Sequence, residues 1–149
     1  MGKKVTSDDT LPPVATGILI HGAALRWQTA ADSVVSEWGL TVTQYALLWG
    51  VGVLTRSQQP ITQAQLARQV GTDVMLTSKH VRELEAKLMI ERQPHPTDTR
   101  ARSLVLTKHG HTVLKKATKA VSKLDGKIFG KHANEKLVKV LGAISGLQQ

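Results

Sequence analysis

Apolar positions along this chain recur at helical spacing in six blocks, interrupted once by a pair of short alternating runs. The first block extends from Val14 to about Glu37, and Ile18, Leu19, Ala23, Leu25, Trp27, Ala30, Ala31, Val34, Val35 and Trp38 cover more than one of its sides. A helix apolar on two sides is buried on two sides, so one face is expected on its own domain and the other against a second chain. Gly39 ends it. Thr41 with Gln44 forms a capping box for a helix through Tyr45, Leu47, Leu48, Trp49 and Val51 towards Leu54, in which Gly50 and Gly52 predict close packing or a bend. Ser57 to Pro60 reads as a loop.

A second capping box, Thr62 with Gln65, opens a short helix carrying Leu66, Ala67 and Val70, and Gly71 supplies the left-handed residue that stops it. Asp73 then caps a helix to about Leu88. Its steps of three and four place Val74, Thr77, Val81, Leu84 and Leu88 on a buried face, with Met75, Leu76, Lys79, Arg82 and Glu83 opposite and Ser78 at the margin. Met75 and Leu76 are anomalous, being apolar on a face turned from the core. Ile90–Gln93 and Arg102–Leu106 predict a hairpin with Leu104 and Leu106 on one side, tipped by Pro94-His95-Pro96-Thr97-Asp98-Thr99-Arg100. Thr107 caps a long helix whose apolar stripe is Val113, Leu114, Ala117, Val121, Leu124 and Ile128, with Lys115, Lys119, Lys123 and Lys127 along another side. Gly130 interrupts, and Asn134 caps a last amphipathic helix with Leu137, Val138, Leu141, Ile144 and Leu147.

Two short helices joined by Gly71 and Thr72 alone are the sequence form of a helix-turn-helix, the second helix being the one that enters a major groove. The stiff hairpin tip, with Arg92, Arg100 and Arg102 giving it positive charge, has the shape of an arm that enters a minor groove. Solvated alternatives exist for each element: Arg100 paired with Asp98, and the lysine stripe as a hydrated face.

Leu40-Thr41-Val42-Thr43-Gln44-Tyr45, Gln65-Leu66-Ala67, Leu84-Glu85-Ala86-Lys87, Ile90-Glu91-Arg92, Asp98-Thr99-Arg100-Ala101-Arg102 and Leu106-Thr107-Lys108-His109-Gly110 resemble, in order and spacing, the signatures of MarR-type winged-helix transcriptional regulators. The wing motif D-x-R followed by L-T-x-x-G is the most specific part. Leu88 departs from the pattern by standing where the family usually has the Gly that ends the recognition helix, so a tighter turn or a longer helix is expected there. The resemblance implies a homodimer, with Ser78, Lys79 and Arg82 facing DNA, Arg100 at the wing tip and Asp98 holding that arginine. Met75, Leu76, Arg102, Thr62 and Gln63 complete the expected DNA-binding set. It also implies a small aromatic effector between the dimer layer and the DNA-binding part, and Trp27, Trp38, Tyr45 and Trp49, with His21 and Arg26 as anchors, fall on the segments concerned.

Composition agrees and excludes. The chain has 149 residues, with 20 Lys and Arg against 11 Asp and Glu, a formal charge of +9 that favours a polyanionic partner. There is no cysteine, so disulfides, thiolate ligands and cysteine redox sensing are absent. No nucleophile-and-base pattern, G-x-G-x-x-G, G-K-[ST] or H-E-x-x-H occurs, so an enzyme, a cofactor and a metal are not expected. His109, His111 and His132 lack the spacing and carboxylates of a metal set. No apolar run reaches the roughly 18 residues of a membrane span, and a cytoplasmic protein is expected. The expected fold is mainly α, a winged helix-turn-helix of about six helices plus a β-hairpin wing. Residues 1–13 form a tail, residues 14–39 and 109–149 a helical dimerisation region, and residues 40–108 the DNA-binding region. The expected function is a homodimeric repressor on an inverted repeat of double-stranded DNA. A sequence-indifferent coating or architectural protein, or a winged helix used only for protein pairing, are the alternatives.

Overall fold

The computed structural model describes residues 15–57 and 60–146. Among these, six α-helices and one antiparallel hairpin follow in the order α1 (Thr16–Val35), α2 (Val42–Leu54), α3 (Gln63–Val70), α4 (Val74–Ala86), β1 (Ile90–Pro94), β2 (Arg102–Leu106), α5 (Lys108–Phe129) and α6 (Glu135–Ser145). Single 3-10 turns occupy Ser36–Trp38, Thr55–Ser57 and Gly130–His132. This is the expected winged helix-turn-helix. The tail over residues 1–13, the helix start at Val14, residues 58–59 of the expected loop and Leu147 lie outside the described residues.

Helices start where short polar side chains take up the amides that lack an intrahelical partner. Thr41 Oγ1 accepts from Gln44 N while Gln44 Oε1 accepts from Thr41 N, and Thr62 with Gln65 repeats the arrangement. Asp73, Thr107 and Asn134 accept from the amides of Leu76, Gly110 and Leu137. Each such cap contributes about 1 kcal/mol. A long-range one was not legible: Asp32 on α1 accepts from Val42 N at 2.6 Å, fixing α1 against the first turn of α2.

Helix α2 is the hub, packed on α1, α3, α4, α5 and β2. Its Leu47, Leu48 and Val51 meet Leu66 of α3, Val81 and Leu84 of α4, Ile90 and Leu104 at the wing base, and Val113, Ala117 and Val121 of α5 in one buried cluster. Gly50 permits the α2–α3 contact, because a Cβ there would lie 2.8 Å from both Leu66 Cδ1 and Val70 Cγ2. Strand pairing sets Ile90 opposite Leu106 and Arg92 opposite Leu104, so the hairpin roots one face in the core and projects its tip.

Two residues assigned to the buried face of α4 are not buried. Val74 is 53% exposed and Leu88 72% exposed. Only Thr77, Val81 and Leu84 are covered by the rest of the domain. Val74 lies in the first turn, ahead of that packed stretch. Leu88 comes after the helix has ended at Ala86 and adopts φ 56°, the left-handed conformation that glycine ordinarily takes at a helix end. The helix is therefore not lengthened; leucine takes up the turn geometry itself.

At the chain ends, Ile18, Leu19 and Leu25 of α1 are exposed, while Trp27, Val34, Val35 and Trp38 pack inward. Helix α6 buries no residue, although Val138, Leu141 and Ile144 lie along it.

Candidate nucleic-acid interface

The outward side of α4 carries an apolar tip and a cationic shaft. Met75 is 82% exposed and Leu76 38%, and with Val74 they form three successive apolar side chains in the first turn. Lys79 and Arg82 follow, both exposed, and neither makes an ion pair among the described residues. Exposed apolar residues scattered singly need no explanation, but three together at a helix N-terminus flanked by free cations match a surface that meets base edges and phosphates.

Around this side the structure gathers contacts between residues distant in sequence. Arg92 of β1 donates from Nε to Glu85 Oε2 on α4 at 2.9 Å. Gln63, with its amide oriented to suit both neighbours, donates to Ser78 Oγ at 3.3 Å and accepts from Arg92 Nη1 and Nη2 at 3.1 and 3.2 Å. One cluster thus joins the start of α3, the middle of α4 and the wing. Its consequence is a correction: the charge of Arg92 is matched by Glu85, so the wing's free charge resides in Arg100 and Arg102, both exposed. Thr62 spends its hydroxyl on the Gln65 cap.

At the wing tip, Asp98 Oδ1 accepts from the backbone N of Arg100 at 2.9 Å, and Ala101 N bonds Asp98 O at 3.1 Å. Asp98 and the Arg100 guanidinium form no ion pair among the described residues. Asp98 shapes the turn that carries the arginine and leaves the side chain free.

A second network sets the pitch of α4 on α2. Gln44 donates from Nε2 to Glu83 Oε2 at 2.7 Å, while its Oε1 accepts from Lys87 Nζ at 2.8 Å; Lys87 also donates to Gly39 O at 2.6 Å. His80 Nδ1 lies 2.8 Å from the same Glu83 oxygen. Glu83, expected on the outward face, is thereby engaged with α2. The His80 hydrogen bond, then the Gln44 amide, hold its carboxyl below the ordinary value of 4.5. A carboxylate depressed in the folded chain stabilises fully above its unfolded value and ceases to do so as pH falls through the folded one. His80→Ala is therefore expected to move the acid limb of a Tm-against-pH curve to higher pH; an acid limb that stays in place would show that the imidazole gives this carboxylate nothing.

The aromatic set is dispersed. Tyr45 is buried and its hydroxyl donates to Thr118 Oγ1 at 3.4 Å; burial pushes it above the ordinary phenol range, so it stays neutral. Trp38 packs on the core and Trp49 is half-buried, while His21 and Arg26 are exposed on α1. Of the six candidates, Trp27 lines an apolar cavity of about 480 Å³, with Leu19, Ile20, Ala23, Phe129 and Leu141 among its walls. Trp27 Nε1 donates to Asp125 Oδ1 at 2.7 Å on its edge. Among the described residues no group of three His, Cys, Asp or Glu is placed to hold a metal ion, and no helix is long and apolar enough to cross a membrane.

Comparison with known proteins agrees with this geometry. The model of the MarR family matches residues 40–101. The chain is 32% identical over 138 residues to the uncharacterized HTH-type transcriptional regulator YdcH of Bacillus subtilis (strain 168), covering 93% of this chain and 90% of that protein. Its fold is similar to a mutant MarR from E. coli complexed with operator DNA (TM-score 0.69, 22% identity, 86% of this chain and 89% of that one). It is also similar to CouR from Rhodococcus jostii RHA1 bound to p-coumaroyl-CoA (TM-score 0.74, 21% identity, 87% and 90%).

Proposed function

The chain belongs to the MarR family of transcriptional regulators, and from that premise we propose that it acts as a cytoplasmic homodimeric repressor on an inverted-repeat operator. The observation that carries this reading is the free outward side of α4, where Val74, Met75, Leu76, Lys79 and Arg82 stand exposed beside a wing whose Arg100 is unpaired among the described residues. Helix α4 enters the major groove by its N-terminus. Lys79 donates to guanine O6 or N7, Met75 and Leu76 meet thymine methyl groups, and Arg82 reaches phosphate. Ser78, Thr62 and Gln63 line the approach, with Gln63 also holding the wing in register through Arg92. Arg100, and behind it Arg102, follow the adjacent minor groove, which favours A·T-rich flanks. A twofold dimer then requires half-sites centred about one helical turn apart.

Selection of bound fragments from genomic DNA is expected to return such a repeat. Lys79→Ala and Arg100→Ala are each expected to weaken operator binding by roughly 1–3 kcal/mol with the dimer intact. A gel-shift titration at wild-type affinity would remove that residue from the interface. Equal affinity for operator and scrambled DNA, with one salt slope, would favour the coating or architectural alternative.

A small aromatic effector belongs to the same proposal. The apolar cavity beside Trp27 is lined by α1, α5 and α6 alone, within the expected dimerisation region and not between it and the DNA-binding part, so an effector there would act on the dimer layer itself. Such a ligand releases DNA only by binding one arrangement of the two reading helices better than the other.

A further inference from the structure

Helix α5 carries Lys108, Lys115, Lys116, Lys119, Lys123 and Lys127. At 100° per residue all six fall within an arc of about 120°. Every one is exposed, and none makes an ion pair among the described residues. The helix has one acid, Asp125, which lies off this arc and is bonded to Trp27. Lys115, Lys119, Lys123 and Lys127 stand at successive i,i+4 positions, where like charges destabilise a helix, and Lys108 sits in the first turn, where the helix dipole disfavours a cation. The chain does pair such charges elsewhere, as Lys139 does with Glu135 at 3.0 Å on α6. A face that keeps six unpaired cations together, against its own local stability, is built for an outside anion.

The rest of the arc narrows the class of partner. Its other positions are His109, Thr112 and Gly126, with no apolar side chain among them. Protein partners are held by buried aromatic or aliphatic anchors, which the arc lacks, and stable anchoring to an anionic membrane needs an apolar or lipid element beside the charge, which it also lacks. The lysines recur about every 6 Å along the axis, close to two steps of the roughly 3.4 Å phosphate spacing of one DNA strand. Helix α5 starts beside Met89, just past the C-terminal end of α4 and so at the end opposite its groove-entering N-terminus, and it packs on α1, α2 and β2.

We propose that the lysine face of α5 grips the phosphate backbone of a second DNA duplex, so that a molecule seated on one duplex bridges to another without reading its sequence. The test immobilises a biotinylated operator duplex, saturates it with the full-length dimer and adds a fluorescent duplex of unrelated sequence. Wild type is expected to retain the second duplex, with steep loss on adding salt. In Lys119→Gln/Lys123→Gln/Lys127→Gln retention falls at least about tenfold, and the log–log salt slope drops by about 0.9 for each lysine that was in contact, while binding to the first duplex stays unchanged. Lys131→Gln/Lys136→Gln/Lys139→Gln removes the same charge outside α5 and keeps retention. Captured wild type that holds no second duplex overturns the proposal, as does equal loss in the two triple variants. Failure of the operator duplex to capture protein counts against the operator reading instead.

Discussion

Gly110→Ala is expected to lower the stability of the folded chain by about 3 kcal/mol or more, a loss of between a fifth and more than half of the roughly 5–15 kcal/mol margin of an ordinary domain. Gly110 is the third residue of α5, fully covered, and a Cβ there would be driven into the carbonyl oxygen of Met89, with Met89 C at 2.9 Å and Cα at 3.2 Å behind it. All three are backbone atoms, so no side chain can turn aside to make room. The same place is fastened from the other direction. Thr107 N donates to Met89 O at 3.1 Å, and Thr107 Oγ1 donates to Leu88 O at 2.6 Å. Relief of the clash must part α5 from the turn through which α4 hands over to the wing, so operator affinity falls together with stability. Gly126→Ala is the matched control. It lies in the same helix with nothing within 4 Å of its would-be Cβ, and the substitution should stabilise by roughly 0.5–1 kcal/mol through helix propensity. Urea unfolding of the three proteins decides the matter, and a Gly110→Ala midpoint equal to wild type would refute this account of the contact.

That glycine also marks how far local pattern reaches. Leu106-Thr107-Lys108-His109-Gly110 carried the family resemblance, and Thr107 could be named a cap from its own neighbourhood, but the need for glycine arises from Met89, which the sequence does not place beside it. The same division runs through the rest. The boxes at Thr41–Gln44 and Thr62–Gln65 and the caps at Asp73 and Asn134 were legible because every partner lies within a few residues. Glu85 with Arg92, Gln63 with Ser78, Gln44 with Glu83 and Lys87, and Trp27 with Asp125 were not, because each needs two elements to be docked first. Periodicity misplaced Val74 and Leu88 for a related reason. It assumes that a helical face is covered along its whole length, whereas cover extends only as far as the neighbouring elements do.

If the chain pairs as proposed, Ile18→Asp combined with Ile144→Asp is expected to abolish the proposed dimer and with it about 10²- to 10⁴-fold of operator affinity, because two linked half-site contacts become one. Ile18 and Ile144 are each 66% exposed, and they stand among Leu19, Leu25, Val138 and Leu141 on α1 and α6, the two helices that carry the most exposed large apolar side chains among the described residues. Covering one such side chain is worth about 1.5–3 kcal/mol, so a handful on each of two copies supplies the favourable term that α6 lacks within its own chain, where it buries nothing. Carboxylates brought into that layer would have to be desolvated without a partner, and separation of the chains costs less than burying them. The α4 surface and the wing are untouched in this variant, so weak half-site binding and its salt dependence should persist. Sedimentation velocity reports the first effect and a gel shift on full and half operators the second. A double variant that still sediments as a dimer would place the twofold contact somewhere other than α1 and α6. One that is monomeric yet binds the full operator at wild-type strength would mean that a single copy reads the whole site.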